Sequence, residues 1–260
     1  MNLRYITCSD MREDVSLRDA IALLSLSPRV ELGIQAHAEA MDFGTARYDW
    51  LDALLTQSAR MARPLNIAIH VNYDWCSQMV AAGAQKYKWP GPIQNLFHRT
   101  GRNGAPLIRR WQLNIGDGTP GIRWPDLVGV CRAFADRELI FPYNTQNPVT
   151  QKINRLHQVP GCAFSLLYDA SYGAGISPDA WYAPAFADRP MGYAGGLSPD
   201  NVADNLEKIR AVCPADYTTW IDAEGQLMTP HTRRFDIHRA TRYVLAALDW
   251  ERHQHAHPGR

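Results

Sequence analysis

Apolar positions along the chain alternate between two patterns. Short runs rich in β-branched and aromatic residues are followed by longer stretches in which apolar side chains recur every three or four residues. Arg4-Tyr5-Ile6-Thr7-Cys8 predicts a first strand, and Val15 to Leu26 a helix after it. Val30 to Ile34 predicts a second strand with a helix over Tyr48 to Met61, and Leu65 to Val71 a third with a helix near Trp75 to Ala82. Arg110 to Ile115, Leu139 to Tyr143, Ala163 to Asp169, Pro190 to Ala194 and Tyr217 to Asp222 continue the series of strands. Further helices are expected over Trp124 to Arg137 and Gln151 to Gln158, from Ser198 onward, and around Ile237, Val244, Leu245 and Leu248. Ser198 is expected as an N-cap, with Pro199 at the first helical position and Asp200 in the first turn.

Eight such units predict an α/β chain folded as a (β/α)8 TIM barrel, a single domain over residues 1–250 followed by a flexible tail at 251–260. Two polar stretches punctuated by Gly and Pro, Gly83 to Pro106 and Ala170 to Arg189, read as insertions after strands three and six rather than core elements. Lys86, Lys88, Trp89 and Phe97 suit the first to a lid or to a subunit contact, and so to a homo-oligomer. The alternative architecture, an open doubly wound sheet, would need a glycine-rich dinucleotide turn after the first strand, and the sequence has none.

Composition narrows the function classes. Across 260 residues, 27 Lys and Arg face 26 Asp and Glu, interspersed and without a block of one sign, which excludes the basic stripe of a nucleic-acid binder. Met1 to Asp14 has no apolar core of signal-peptide length, and no run approaches the roughly 20 apolar residues of a membrane span, so a cytoplasmic protein without a membrane partner is expected. Five cysteines lie scattered without zinc-like spacing and read as free thiols of a reducing compartment. The alternating His253, His255 and His257 near the end read as tail residues rather than a metal site.

A barrel of this kind carries its chemistry at the carboxyl ends of its strands. Those ends read Cys8, Gln35 with His37, His70 with Asn72, Gln112 with Asn114, Tyr143 with Asn144, Asp169, Gly195 with Gly196, and Asp222 with Glu224 and Gly225. Together they form a ring of polar and small groups suited to a small-molecule substrate. Gly195, Gly196 and Gly225 follow strands seven and eight, where backbone N–H groups and a helix start bind phosphate in many barrels. Each position also has a structural reading: Gly-Gly as a tight turn, Asp169 as a loop cap, Cys8 as a small buried side chain, and His37 and His70 as hydrogen-bonded histidines.

In order and type these residues resemble the phosphoribosylanthranilate isomerase family, a barrel of tryptophan biosynthesis. The matching stretches are Cys8, Gly44-Thr45-Ala46-Arg47-Tyr48, Ile69-His70-Val71-Asn72, Gln112-Leu113-Asn114-Ile115-Gly116, Leu166-Leu167-Tyr168-Asp169, and above all Ala194-Gly195-Gly196-Leu197-Ser198-Pro199-Asp200-Asn201-Val202. Asp222-Ala223-Glu224-Gly225 takes the place of the family's last motif. The resemblance implies an aldose–ketose (Amadori) isomerisation of a phosphosugar without cofactor or metal. In it Asp169 is the acid, Cys8 the base, Arg47, His70, Gln112, Asn114 and Asp222 bind substrate, and Gly195, Gly196 and Gly225 bind phosphate. The chain departs from the family at Ser9, where it has Gly; at Asn114, where it has His; at Glu224, where it has Ser; and at Gly173-Ala174-Gly175, a reduced glycine loop. Such departures keep open an isomerase, aldolase or lyase acting on another carbonyl or phosphosugar substrate, and a ligand-binding barrel without catalysis.

Overall fold

The computed structural model describes residues 1–116, 121–144, 149–171 and 174–256. Eight strands follow one another around a closed barrel: β1 (Asn2–Ser9), β2 (Val30–Ala36), β3 (Asn66–Val71), β4 (Arg110–Leu113), β5 (Glu138–Pro142), β6 (Ser165–Asp169), β7 (Met191–Ala194) and β8 (Thr218–Ala223). Their pairing is parallel, with β8 closing on β1 through the register Thr7–Asp222 and Cys8–Ala223. This is the (β/α)8 barrel expected from the alternation. Helices α1 (Leu17–Ser25), α2 (Ala38–Met41), α3 (Ala46–Arg60), α4 (Tyr73–Ala82), α5 (Gly91–His98), α6 (Trp124–Ala133), α7 (Thr150–Leu156), α8 (Val202–Val212) and α9 (Ile237–Ala256) lie between and after the strands. The chain forms two compact units, Met1–Leu32 with Tyr168–Arg260, and Gly33–Leu167.

In the first unit, successive residues of a strand point to opposite faces and the two faces differ in chemistry. Ile6 and Cys8 on β1, Met191 and Tyr193 on β7, and Ile221 and Ala223 on β8 make one face, buried and almost wholly apolar. On β1 this is the side against which α9 packs. Thr7, Ser9, Trp220 and Asp222 make the other, polar face. Thr7 Oγ1 donates to Glu31 Oε1 at 2.9 Å, and Ser9 Oγ donates to Asp222 Oδ1 at 2.6 Å.

The second unit repeats the division. Ile67, Ile69 and Val71 on β3, Trp111 and Leu113 on β4, and Leu139 and Phe141 on β5 form the apolar face. The opposite face carries Ala68 and His70, then Arg110 and Gln112, then Glu138. Trp111 shows which side the helices occupy, since its ring lies 5.6 Å from Phe97 of α5 and 5.9 Å from Phe134 at the end of α6.

Three expectations are corrected. The stretch Gly83 to Pro106 contains α5, whose Pro92, Ile93, Leu96 and Phe97 are buried, so it is part of the core. Trp89 stacks on Phe134 at 5.2 Å and meets Phe97 edge-on, which removes both aromatics from any lid or subunit surface. The prolines that suggested a loop sit at the start of the helix, where a missing N–H costs nothing. The helix after strand seven begins at Val202 with Asn201 as N-cap, because Ser198 to Asn201 closes a tighter turn first: Ser198 Oγ accepts from Asp200 N–H and Asn201 Oδ1 from Ser198 N–H. Finally, α9 runs to Ala256, so the first six residues of the expected tail are helical, while 257–260 lie outside the described residues.

Candidate functional site

In the first unit the chemistry gathers at the ends of β6, β7, β8 and β1. Asp169 closes β6, and its Oδ1 accepts from both the N–H and the hydroxyl of Ser171, each at 2.9 Å. The same oxygen lies 3.2 Å from where a Cβ on Gly195 would stand, so a side chain at 195 would crowd it. Asp222 lies near the end of β8, opposite Ala194 of β7 in register, and receives the short charge-assisted bond from Ser9. Ser9 and Asp222 are both buried.

Cys8 stands elsewhere. It shares the apolar face with Ile6, is fully buried, and lies near enough to Tyr243 of α9 for a charge on one to raise the other. Burial first, and the Asp222 carboxylate second, push its thiol far above the ordinary range. A base near neutrality needs the opposite, a thiolate in a polar, partly positive setting. Cys8 is part of the packed layer beneath α9, a setting opposite to the one that the base implied by the resemblance would need.

The glycines expected at a phosphate divide. Gly196, at φ +62°, is pressed against the chain itself, since an added Cβ would fall 2.0 Å from Ser177 N and 2.4 Å from Ile176 C. Its carbonyl accepts from Ser177 Oγ and Asn201 Nδ2, each at 3.0 Å. Gly225 opens the 3-10 turn Gly225–Leu227 and has the Arg233 guanidinium 3.7 Å from the position of a Cβ. Arg233 is exposed and holds φ +53°, a conformation that non-glycine residues adopt at some energetic cost. Glu224 is exposed. Gly173 of the reduced glycine loop lies outside the described residues.

In the second unit four amides form one directed chain. Gln112 Nε2 donates to Asn114 Oδ1 at 2.7 Å, Asn114 Nδ2 to Asn72 Oδ1 at 2.6 Å, and Asn72 Nδ2 to Gln35 Oε1 at 2.6 Å. Gln112 Oε1, at the head of the chain, is buried without a hydrogen-bond partner among the described residues, so it is fitted to accept from a ligand N–H or O–H. One layer below, Arg110 Nε lies 3.3 Å from Glu138 Oε2, and Ser165 Oγ donates to Glu138 Oε1 at 2.8 Å. Burial, helped by the charge of Arg110, lowers the His70 imidazole to about 3, so it is neutral across the physiological range. Arg47 is half-buried in the first turn of α3. His37 meets the exposed ring of Tyr73 edge-on at 5.6 Å.

The structure thus brings together His70, Gln112 and Asn114 in the second unit, and Asp169, Gly195 and Asp222 in the first. Gln35 and Asn72 stood in the expected ring of strand ends without an assigned role, and Ser9 and Arg233 were absent from it. For Ser9 the signal was the alternation itself, because Thr7 and Ser9 share the polar parity of β1. Among the described residues no group of His, Cys, Asp or Glu has the arrangement of a metal site, and no helix is long and apolar enough to cross a membrane.

Strand order and parallel pairing together define a (β/α)8 barrel. No protein-family model matches the sequence, and no curated protein does. Among solved structures, the chain is similar to dimeric phosphoribosylanthranilate isomerase from Thermotoga maritima, crystallised as monomers, with 13% identity, TM-score 0.53, and coverage of 95% of this chain and 99% of that one. A xylose isomerase domain protein from Planctomyces limnophilus aligns over 97% of this chain and 96% of its own at 10% identity and TM-score 0.41. At 13% identity, the likeness to the Thermotoga maritima structure shows the barrel fold alone.

Proposed function

We propose that the protein is a cytoplasmic aldose–ketose isomerase of the phosphoribosylanthranilate isomerase type, acting on an aminoaldose phosphate. The observation that carries this reading is Asp169, a carboxyl held at the end of β6 by Ser171 and standing against the side-chain-free Gly195. A carboxyl in that place gives its proton to the sugar ring oxygen, the C1–O bond breaks, and the opened aldose isomerises by moving the C2 proton. General acid catalysis of this kind contributes about 10²- to 10⁴-fold. For the phosphate, Gly225 and the Arg233 guanidinium beside it supply a backbone approach and a cation.

The test is the fluorescence loss that accompanies isomerisation of phosphoribosylanthranilate. Turnover by the purified protein, reduced by about 10²-fold or more in Asp169→Asn, is the expected outcome. The burial of Cys8 and the change from Gly to Ser at position 9 favour a second reading, a barrel of the same chemistry acting on a different aldose. Turnover of an alternative aldose phosphate, with none of phosphoribosylanthranilate, would select it.

A further inference from the structure

We propose that Ser9 and Asp222 form the proton-accepting pair of this barrel, taking the place of Cys8 as its base. The inference rests on the isomerase reading and adds to it a catalytic carboxylate and the hydroxyl that positions it.

Four observations converge on the pair. First, residues 8 and 9 are neighbours on one strand and so face opposite ways; Cys8 goes under α9 and Ser9 to the polar face. Second, Ser9 Oγ donates to Asp222 Oδ1 at 2.6 Å, a bond that helps to orient the carboxylate. Third, Asp222 and Asp169 flank a single strand. Ala194 of β7 is in register with Asp222, and Ala170 N–H donates to Ala194 O at 3.0 Å, so the two carboxyls stand at one level, two interstrand spacings or about 10 Å apart at their Cα atoms. Fourth, β7 puts nothing long between them. Its residues there are Ala194 and Gly195, and one layer down the Trp220 ring lies over Gly192, where an added Cβ would fall 2.1 Å from the ring, giving the gap an aromatic floor.

An acid and a base across a small-residue strip are what an aldose–ketose shift requires. Asp169 protonates the ring oxygen of the aminoaldose, and the C1–O bond breaks as the nitrogen lone pair forms C1=N. The Asp222 carboxylate then takes the C2 proton; the C–H electron pair becomes the C1=C2 bond, and the C1=N pair returns to nitrogen. The enolamine regains a proton at C1 and loses its C2 hydroxyl proton, giving the aminoketose. Proton exchange with water restores Asp169 as acid and Asp222 as base, and no oxidant or reductant is involved. Cys8 has no part in these steps.

The experiment measures steady-state turnover of phosphoribosylanthranilate and deuterium exchange from D2O at C2 of the recovered substrate. Variants are Asp222→Asn, Asp222→Ala, Ser9→Ala and Cys8→Ala, each checked by near-ultraviolet circular dichroism. Asp222→Asn is expected to lose about 10²-fold or more in kcat together with the C2 exchange, and Ser9→Ala about tenfold in kcat with KM little changed. In Asp222→Ala, added formate restores turnover in a saturable way, which a purely structural role would not allow. Cys8→Ala keeps kcat/KM within about threefold, as expected of a residue outside the reacting groups. Loss of turnover in Cys8→Ala with retention in folded Asp222→Asn overturns the pair and leaves the isomerase reading standing. No turnover of any aldose phosphate by the wild-type protein overturns both.

Discussion

Ser9 and Cys8 are one residue apart and meet opposite environments, and their reactivities follow from that. Cys8, Cys76, Cys131 and Cys162 are buried, whereas Cys213 is half-exposed beside the Tyr193 hydroxyl at 3.4 Å. Burial raises the Cys8 and Cys76 thiols, the latter to about 12, so neither presents a thiolate at neutral pH. A small alkylating reagent on the native protein should therefore label Cys213 first, and all five thiols only after denaturation, as read by peptide mass spectrometry. Labelling of Cys8 at the rate of Cys213 would contradict the packing. The parity behind this result was legible in Ile6-Thr7-Cys8-Ser9, where apolar and hydroxyl side chains alternate. What the sequence could not show was which parity faces the helices, because Cys is apolar enough to pack and polar enough to react.

Among the elements, strands and most helices were legible from period alone, while the two Gly- and Pro-rich stretches were not. Residues 91–98 were hidden by Pro90 and Pro92, although Ile93, Leu96 and Phe97 keep helical spacing. The stretch after β6 has no helix among its described residues, yet side chains pin it at several points. Gln226 Nε2 donates to Gly175 O at 3.1 Å, Trp181 Nε1 to Asn205 Oδ1 at 3.0 Å, and the Tyr193 hydroxyl to Tyr182 O at 3.0 Å. Trp181 adds edge-on contacts with Tyr168 and Tyr193. Gly196 is the tightest of these anchors, since both its φ and its distance to the Ile176 and Ser177 backbone exclude a side chain. Gly196→Ala should displace that segment and cost about 2–4 kcal/mol, combining left-handed strain with backbone overlap. The expected signs are a lowered urea midpoint and faster proteolytic cleavage within residues 174–189; an unchanged midpoint would show that the approach is not a constraint. The motif Ala194-Gly195-Gly196 thus has a structural task that its likeness to a phosphate loop concealed.

At the scale of the whole molecule, a net charge of +1 says little about charges held inside it. The polar face of the second unit buries Arg110 and His70 with Glu138 beside them, and this arrangement fixes how the protein responds to acid. An ordinary histidine titrates near 6.5; the folded protein holds His70 at about 3, through burial and the neighbouring guanidinium. Its folded pKa lies below its unfolded one, so the unfolded chain binds the extra proton between these values. Stability linked to His70 is thus fully present above about pH 6.5 and declines as pH falls toward 3, by up to roughly 1.4 kcal/mol per pH unit. Between pH 6.5 and 4.5 this one group should account for about 2–3 kcal/mol. Carboxylates contribute to acid unfolding as well, so the measurement is a difference: urea unfolding of wild type and His70→Gln at both pH values. The variant starts less stable at pH 6.5, because a packed imidazole is lost, but its further loss on acidification to pH 4.5 should be smaller by that amount. Equal acid losses in the two proteins would mean that His70 takes up its proton in the folded state, and with it that the polar face admits water.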